Sequence, residues 1–196
     1  LAESDAPDLH ARAFDMTYDW RLYDTLKLIA RGKAGVPELK AWWAQEQATY
    51  PADAYRMRYT SNHDINSWHG DDARHYGAAF EAMAVLAATL PGMPLVYSGQ
   101  EAALDRQLAF FEKDPIAWRG YPLGAFYAQM LALKRSQPAL ANGQHGGTLA
   151  WLDAGDFDAV QTMCPPSPCR RMRGSSVTTA LIAPPTLTPL TQSQSA

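Results

Sequence analysis

Apolar positions recur at helical spacing in four stretches of the chain, and short apolar or alternating blocks lie between them. Over 20–30, Leu22, Leu26 and Ile29 share one face, and Gly32 and Gly35 supply stop signals. A second helix is expected after Pro37, with Leu39, Trp42 and Trp43 on its apolar side, ending near Tyr50-Pro51. Asp71 or Asp72 can cap a third, long helix through Leu90, with Phe80, Met83, Ala84 and Ala87 along one face and Pro91-Gly92 ending it. A last helix is expected over about 123–136. Strands are expected at 13–18, 56–61 and 94–97, and residues 1–3 read as the end of another. Ser4 to Arg12 reads as a polar loop with room for one helical turn.

The alternation of short strands with helices predicts parallel strands joined by crossover helices, hence an α/β fold. Each expected strand runs into a polar or glycine-containing loop, and in a (β/α)8 barrel the chemistry sits at those C-terminal strand ends. Residues 148–155 read as the start of a separate β-rich module. From Met163 onward the character changes: there is no Asp or Glu, and about half the residues are Ser, Thr or Pro, a composition with no period able to bury a core. Disorder is expected over 163–196. A change of reading frame near 158–163 accounts for so abrupt a change, with a natural mucin-like linker as the competing account.

Composition narrows the function classes. Hydrophobic residues make up 47% of the 196 and charged residues 19%, a globular balance. The net charge of −3 lacks the basic excess of a nucleic-acid binder, and no run of 18 or more apolar residues suggests a membrane span. Neither nucleic acid nor membrane is an expected partner. Cys164 and Cys169 both lie in the unusual tail and support no metal or disulfide reading.

The polar clusters carry the chemistry. Asn62-His63-Asp64 follows the expected strand at 56–61 directly and groups donors, an acceptor and a charge suited to sugar hydroxyls. One long helix later comes Leu90-Pro91-Gly92-Met93-Pro94-Leu95-Val96-Tyr97-Ser98-Gly99-Gln100-Glu101. The two motifs at this spacing resemble glycoside hydrolase family 13, the α-amylase family. There, an Asn-His-Asp ends the seventh strand and a Gly-x-Pro-x-x-Tyr-x-Gly-Gln-Glu marks the eighth. Leu1-Ala2-Glu3 is similar to that family's fifth-strand motif.

The resemblance covers residues 1 to about 140 and implies a partial (β/α)8 TIM barrel, approximately strands five to eight with their helices. Residues 141–162 would then begin a truncated β-rich C-terminal domain. By the same resemblance, Glu3 is the proton donor and later base, and Asp64 grips sugar hydroxyls and stabilises the transition state. His63 hydrogen-bonds the sugar in the cleavage subsite, and Asn62 supports it as part of the substrate-binding motif. Gln100 and Glu101 are expected to hold the barrel end together. The implied substrate is an α-glucan or malto-oligosaccharide, cleaved with retention through a double displacement.

The family's nucleophile is an Asp within an Arg-x-Asp pattern at the fourth strand, and no such pattern occurs in these 196 residues. The expectation is a fragment that is inactive alone, with open strand edges that favour insolubility, partial folding or dimerisation. No cofactor is expected within the segment; the resemblance leaves calcium open for an intact protein, and it leaves localisation unknown, with secreted and periplasmic as its suggestions for an intact protein. A non-catalytic carbohydrate-binding or chaperone-like barrel is the alternative. A zinc site at His63, Asp64 and His69 is a third reading, although His69 and His75 fit better as surface residues. For Trp20, Trp68 and Trp118, core packing is expected ahead of sugar stacking.

Overall fold

The structure is a computed structural model describing residues 1–118, 120–154, 157–164 and 177–181, with the backbone alone from 152 onward. A single helical turn, α1 (Leu9–Arg12), precedes strand β1 (Met16–Tyr18). At the end of β1, Asp19 caps α2 (Trp20–Ala30), its Oδ1 accepting from the Leu22 N–H at 2.9 Å. α3 (Val36–Thr49) opens with Pro37 in its first turn, and the Glu38 carboxylate accepts from the Gly35 N–H at 2.7 Å. β2 (Tyr55–Arg58) follows, shorter than the expected 56–61; beyond it Thr60 is held by the hydroxyl of Tyr76 and the amide of Gln100.

The long helix expected over 71–90 is broken. Gly77 takes a positive φ of 53°, so α4 (Asp72–Tyr76) ends there and α5 (Phe80–Thr89) starts after a short 3-10 turn. The following strand, β3, is only Met93–Pro94, preceded by Gly92 at φ 141°. A Cβ on Gly92 would stand 2.5 Å from the Arg56 carbonyl oxygen, so a glycine is what lets β3 close on β2. α6 (Gly124–Ser136) matches the last expected helix to within a residue.

The strands pair in parallel in the order β1-β2-β3, and Ala2 adds a parallel bridge to Thr17 on the outer side of β1. Ala2 donates to the Met16 carbonyl at 2.8 Å and accepts from the Tyr18 N–H at 3.1 Å. Strand ends 1–3, 16–18, 55–58 and 93–94 therefore stand side by side in sequence order. Among the described residues nothing pairs outside the Ala2 segment or beyond β3, so both edges are open. The core is built from Leu22, Leu26, Leu39, Trp42, Ile65, Leu86 and Leu90, packed with Tyr18, Tyr23, Tyr59 and Tyr76. Among the described residues no helix is long and apolar enough to cross a membrane.

Between β2 and α3 lies a buried ionic cluster. Arg56 and Arg58 alternate along β2 onto one face, where Glu46 of α3 accepts from Arg56 Nε at 3.0 Å and from Arg58 Nη1 at 2.9 Å. Asp19 pairs with Arg58 and lies 3.5 Å from Arg56. Arg56 also donates to the Tyr18 carbonyl at 2.9 Å, and its guanidinium stacks 3.7 Å over the Tyr50 ring. Two cations and two anions balance one another where water does not reach, with burial pushing the Glu46 carboxyl up against the pull of Arg56.

His75 departs from the surface position expected for it. It is 5% exposed and packs edge-on against Tyr23, because the break at Gly77 turns the end of α4 inward. His69 does face solvent. Burial, with Lys27 and Arg31 nearby, draws the His75 imidazole down to about 4. An unfolded chain therefore binds a proton at this position that the folded chain refuses between about pH 6.5 and pH 4. The stability that His75 contributes is complete above pH 6.5 and is lost as pH falls through that window. Asp72, pushed up to about 6 by burial, acts with the opposite sign over nearly the same range. His75→Phe should consequently lose roughly 2 kcal/mol less than the native chain between pH 7 and pH 4. Parallel denaturation curves for the two proteins across that range would contradict this.

A second, antiparallel sheet has the order β4-β5-β6, from β4 (Thr148–Ala154), β5 (Phe157–Cys164) and β6 (Val177–Leu181). Leu149 and Trp151 of β4 pack against the core of the first layer. Within the tail expected to lack structure, the five residues of β6 instead form a strand; their β-branched Val and Thr suit extended backbone. Met163 and Cys164 of the same tail end β5, and residues 165–176 and 182–196, with Cys169, fall outside the described residues.

Candidate functional site

Glu3, His63 and Asp64 meet at one end of the parallel sheet. The His63 Nε2 lies 3.4 Å from Glu3 Oε1 and 3.7 Å from Asp64 Oδ1. Each is placed by backbone rather than by its own side-chain partners. Glu3 follows the Ala2 bridge, and its carbonyl accepts from the Trp20 indole N–H at 2.7 Å. His63 and Asp64 lie beyond β2, where the chain enters a π-helical turn over Ile65–His69; such turns are frequent at functional sites. The structure thus joins residues that are 60 positions apart in sequence.

Asn62 stands behind the trio as a bracing residue. It is 1% exposed, and its Oδ1 accepts from the Ile65 N–H at 2.8 Å. Its side chain holds the turn that presents His63 and Asp64. Short polar side chains take this role because they mimic a backbone acceptor at a turn.

Gln100 ties the neighbouring strand ends together. Its Oε1 accepts from the Tyr97 N–H, and its Nε2 donates to Thr60 Oγ1 and to Asp72 Oδ2, each at 2.8 Å. Glu101 accepts from the Gly99 N–H at 3.1 Å. Both residues brace the loop after β3 and stand apart from the trio.

Sequence reasoning missed Tyr18. It is buried beside the trio, and its phenol is pushed up mainly by burial and further by the charges of Glu3 and Asp64. Its position as the last residue of β1, two strand ends meeting on either side of it, was the available signal. Trp68 and Trp118 also depart from expectation, since both are exposed and neither packs in the core.

Chemically, the trio offers two carboxylates and an imidazole that can grip a polyhydroxylated ring and move a proton. Their ligand atoms lie within 4.8 Å of one another, close enough to share a cation as well; His69 is not part of that group. The Glu3 side chain is 60% exposed, so these residues alone do not form the water-excluded enclosure on which glycoside chemistry depends.

No family model matches the chain. It is 32% identical over 137 residues to the α-amylase MalA of Haloarcula japonica, a match covering 69% of this chain and 20% of that protein. Among solved structures, the α-amylase of Lactobacillus plantarum is 26% identical with a TM-score of 0.59, covering 82% of this chain and 37% of that one. The maltogenic α-amylase AmyB of Thermotoga neapolitana is 21% identical with a TM-score of 0.67, covering the same shares. The chain thus spans about a fifth of the curated relative and well under half of the solved structures. Over the part that matches, it is related to the α-amylase family, glycoside hydrolase family 13.

Proposed function

We propose that residues 1 to about 140 are strands five to eight, with their helices, of the catalytic barrel of a retaining glycoside hydrolase acting on α-glucosidic bonds of starch-like glucans or malto-oligosaccharides. The observation that carries this reading is the convergence of Glu3, His63 and Asp64 at one end of the parallel sheet. It agrees with the rule that barrel chemistry sits at C-terminal strand ends.

In this reading Glu3 gives its proton to the leaving glycosidic oxygen and later removes one from the attacking water. Asp64 accepts hydrogen bonds from hydroxyls of the ring under attack, and these tighten as the ring flattens toward an oxocarbenium ion. Differential tightening is what lowers a barrier, as distinct from tight binding in itself. His63, between the two carboxylates, hydrogen-bonds the same ring and keeps it in register. The covalent step needs a carboxylate nucleophile, and the family's Arg-x-Asp is absent from these 196 residues. The chain by itself therefore binds glucan without cleaving it.

Purified chain incubated with soluble starch should release no reducing ends above background, yet should bind maltohexaose in calorimetric titration. Asp64→Asn should weaken that binding about tenfold, the effect of losing one charge-assisted hydrogen bond. Starch hydrolysis by the chain alone would overturn the division of labour, and absence of any oligosaccharide binding would overturn the substrate class.

A further inference from the structure

An aromatic surface continues outward from His63. The Phe110 ring lies 5.9 Å from the His63 ring and 5.2 Å from that of Trp68, and Phe111 follows at 4.8 Å from Phe110. All three are open to water: Trp68 is 54% exposed, Phe110 40% and Phe111 80%. Leaving three large adjacent aromatic side chains in water forgoes a substantial burial free energy, and clusters of this kind mark binding sites.

The loop that bears the two phenylalanines is anchored at several points. Buried Asn66, on the π-helical turn directly after Asp64, donates from Nδ2 to the Arg106 carbonyl at 3.1 Å. Its Oδ1 accepts from the Leu108 N–H at 2.9 Å. Gln107 donates to the Ser67 carbonyl. Arg106 closes the loop on Asp114 with two bonds of 2.8 and 2.7 Å, and also donates to the Pro115 carbonyl at 2.9 Å. Asp114 in turn accepts from the Ala109 N–H at 2.9 Å. The same short turn therefore presents His63 and Asp64 and, through Asn66, locks the Phe110–Phe111 loop at a set distance from them.

We infer that Trp68, Phe110 and Phe111 form a stacking platform for glucosyl units adjoining the one held by Glu3, His63 and Asp64. This rests on the glucan reading of that trio. Pyranose rings carry hydroxyls around the rim and C–H groups on their faces, so an aromatic ring covers the apolar face while the rim stays hydrated. Trp68 and Phe110 are inclined by 33° and Phe110 and Phe111 by 75°. Such turned faces fit successive rings of a curved α-linked chain better than one flat ring. Asn66 and Asp114 are positioning residues, acting through the loop.

The test is the dependence of affinity on oligosaccharide length, titrating the 196-residue chain with maltose, maltotetraose and maltohexaose. The native chain is expected to gain tenfold or more from maltose to maltohexaose. A Trp68→Ala/Phe111→Ala double variant, whose exposed positions leave the core untouched, should gain less than twofold from maltose to maltohexaose. Asp64→Asn should weaken all three ligands by a similar factor. A double variant with the full gain in affinity would overturn the platform and leave the trio intact. A uniform loss at every length would overturn it too, by showing a general structural effect. A native chain that binds none of the three would remove the glucan reading, and the platform with it.

Discussion

Asp19→Ala is expected to cost about 4 kcal/mol or more, nearly the whole stability of a small domain, because one side chain does two jobs. It caps α2 through the Leu22 N–H, and it neutralises Arg58 where no water reaches. Loss of a cap costs about 1 kcal/mol, whereas breaking one member of a buried ion cluster costs about 3–5 kcal/mol, so the charge imbalance left when Arg56 and Arg58 share Glu46 alone dominates. Asp19→Asn should separate the two, since the amide oxygen can still cap the helix but the charge is gone. Urea unfolding at fixed protein concentration is the appropriate measurement, because open strand edges favour self-association. A loss under 1 kcal/mol for Asp19→Ala would mean that the cluster is wetter than its burial indicates.

The second large effect is catalytic and requires residues 1–140 in one polypeptide with a strand bearing the family's Arg-x-Asp nucleophile. In such an active protein, Glu3→Gln should lower kcat on maltohexaose by about 10²–10⁴-fold, the usual worth of a positioned general acid. KM should change little, since an amide still hydrogen-bonds the ring but has no proton to give the leaving group. A substrate with a good leaving group, such as an activated aryl maltoside, needs less acid assistance and should lose less in its first step. Retention of more than a tenth of the native kcat on maltohexaose would exclude Glu3 as the acid.

Much of this architecture was legible along the chain, and the legible part has one cause. α2 begins and ends where Leu22, Leu26 and Ile29 and the glycines after them indicate, because helix period and stop signals are local properties. The same holds for α6 and for the parallel order of the strands. The break at Gly77 was not legible: an isolated glycine in a helical pattern is usually tolerated, and here only packing decides that it turns the chain and buries His75. The buried Arg56–Glu46–Arg58–Asp19 cluster was equally hidden, since alternating arginines read locally as a solvated strand face.

The site divides along the same line. Glu3, His63 and Asp64 were singled out as candidates by motif and residue type, and their meeting at one sheet end is a tertiary result. That Asn62 braces the turn while Tyr18 stands beside the carboxylates depends on which way each side chain faces. Trp68, Phe110 and Phe111 are 42 and more positions apart in part, and their sequence favours burial; only the loop held by Asn66 and the Arg106–Asp114 pair brings them together in water beside His63. Local sequence sets what each segment can form, but contacts between distant segments choose the face each side chain presents. It is those contacts that bring an Asn-His-Asp tripeptide up to Glu3 at the sheet end and set an exposed aromatic cluster beside it.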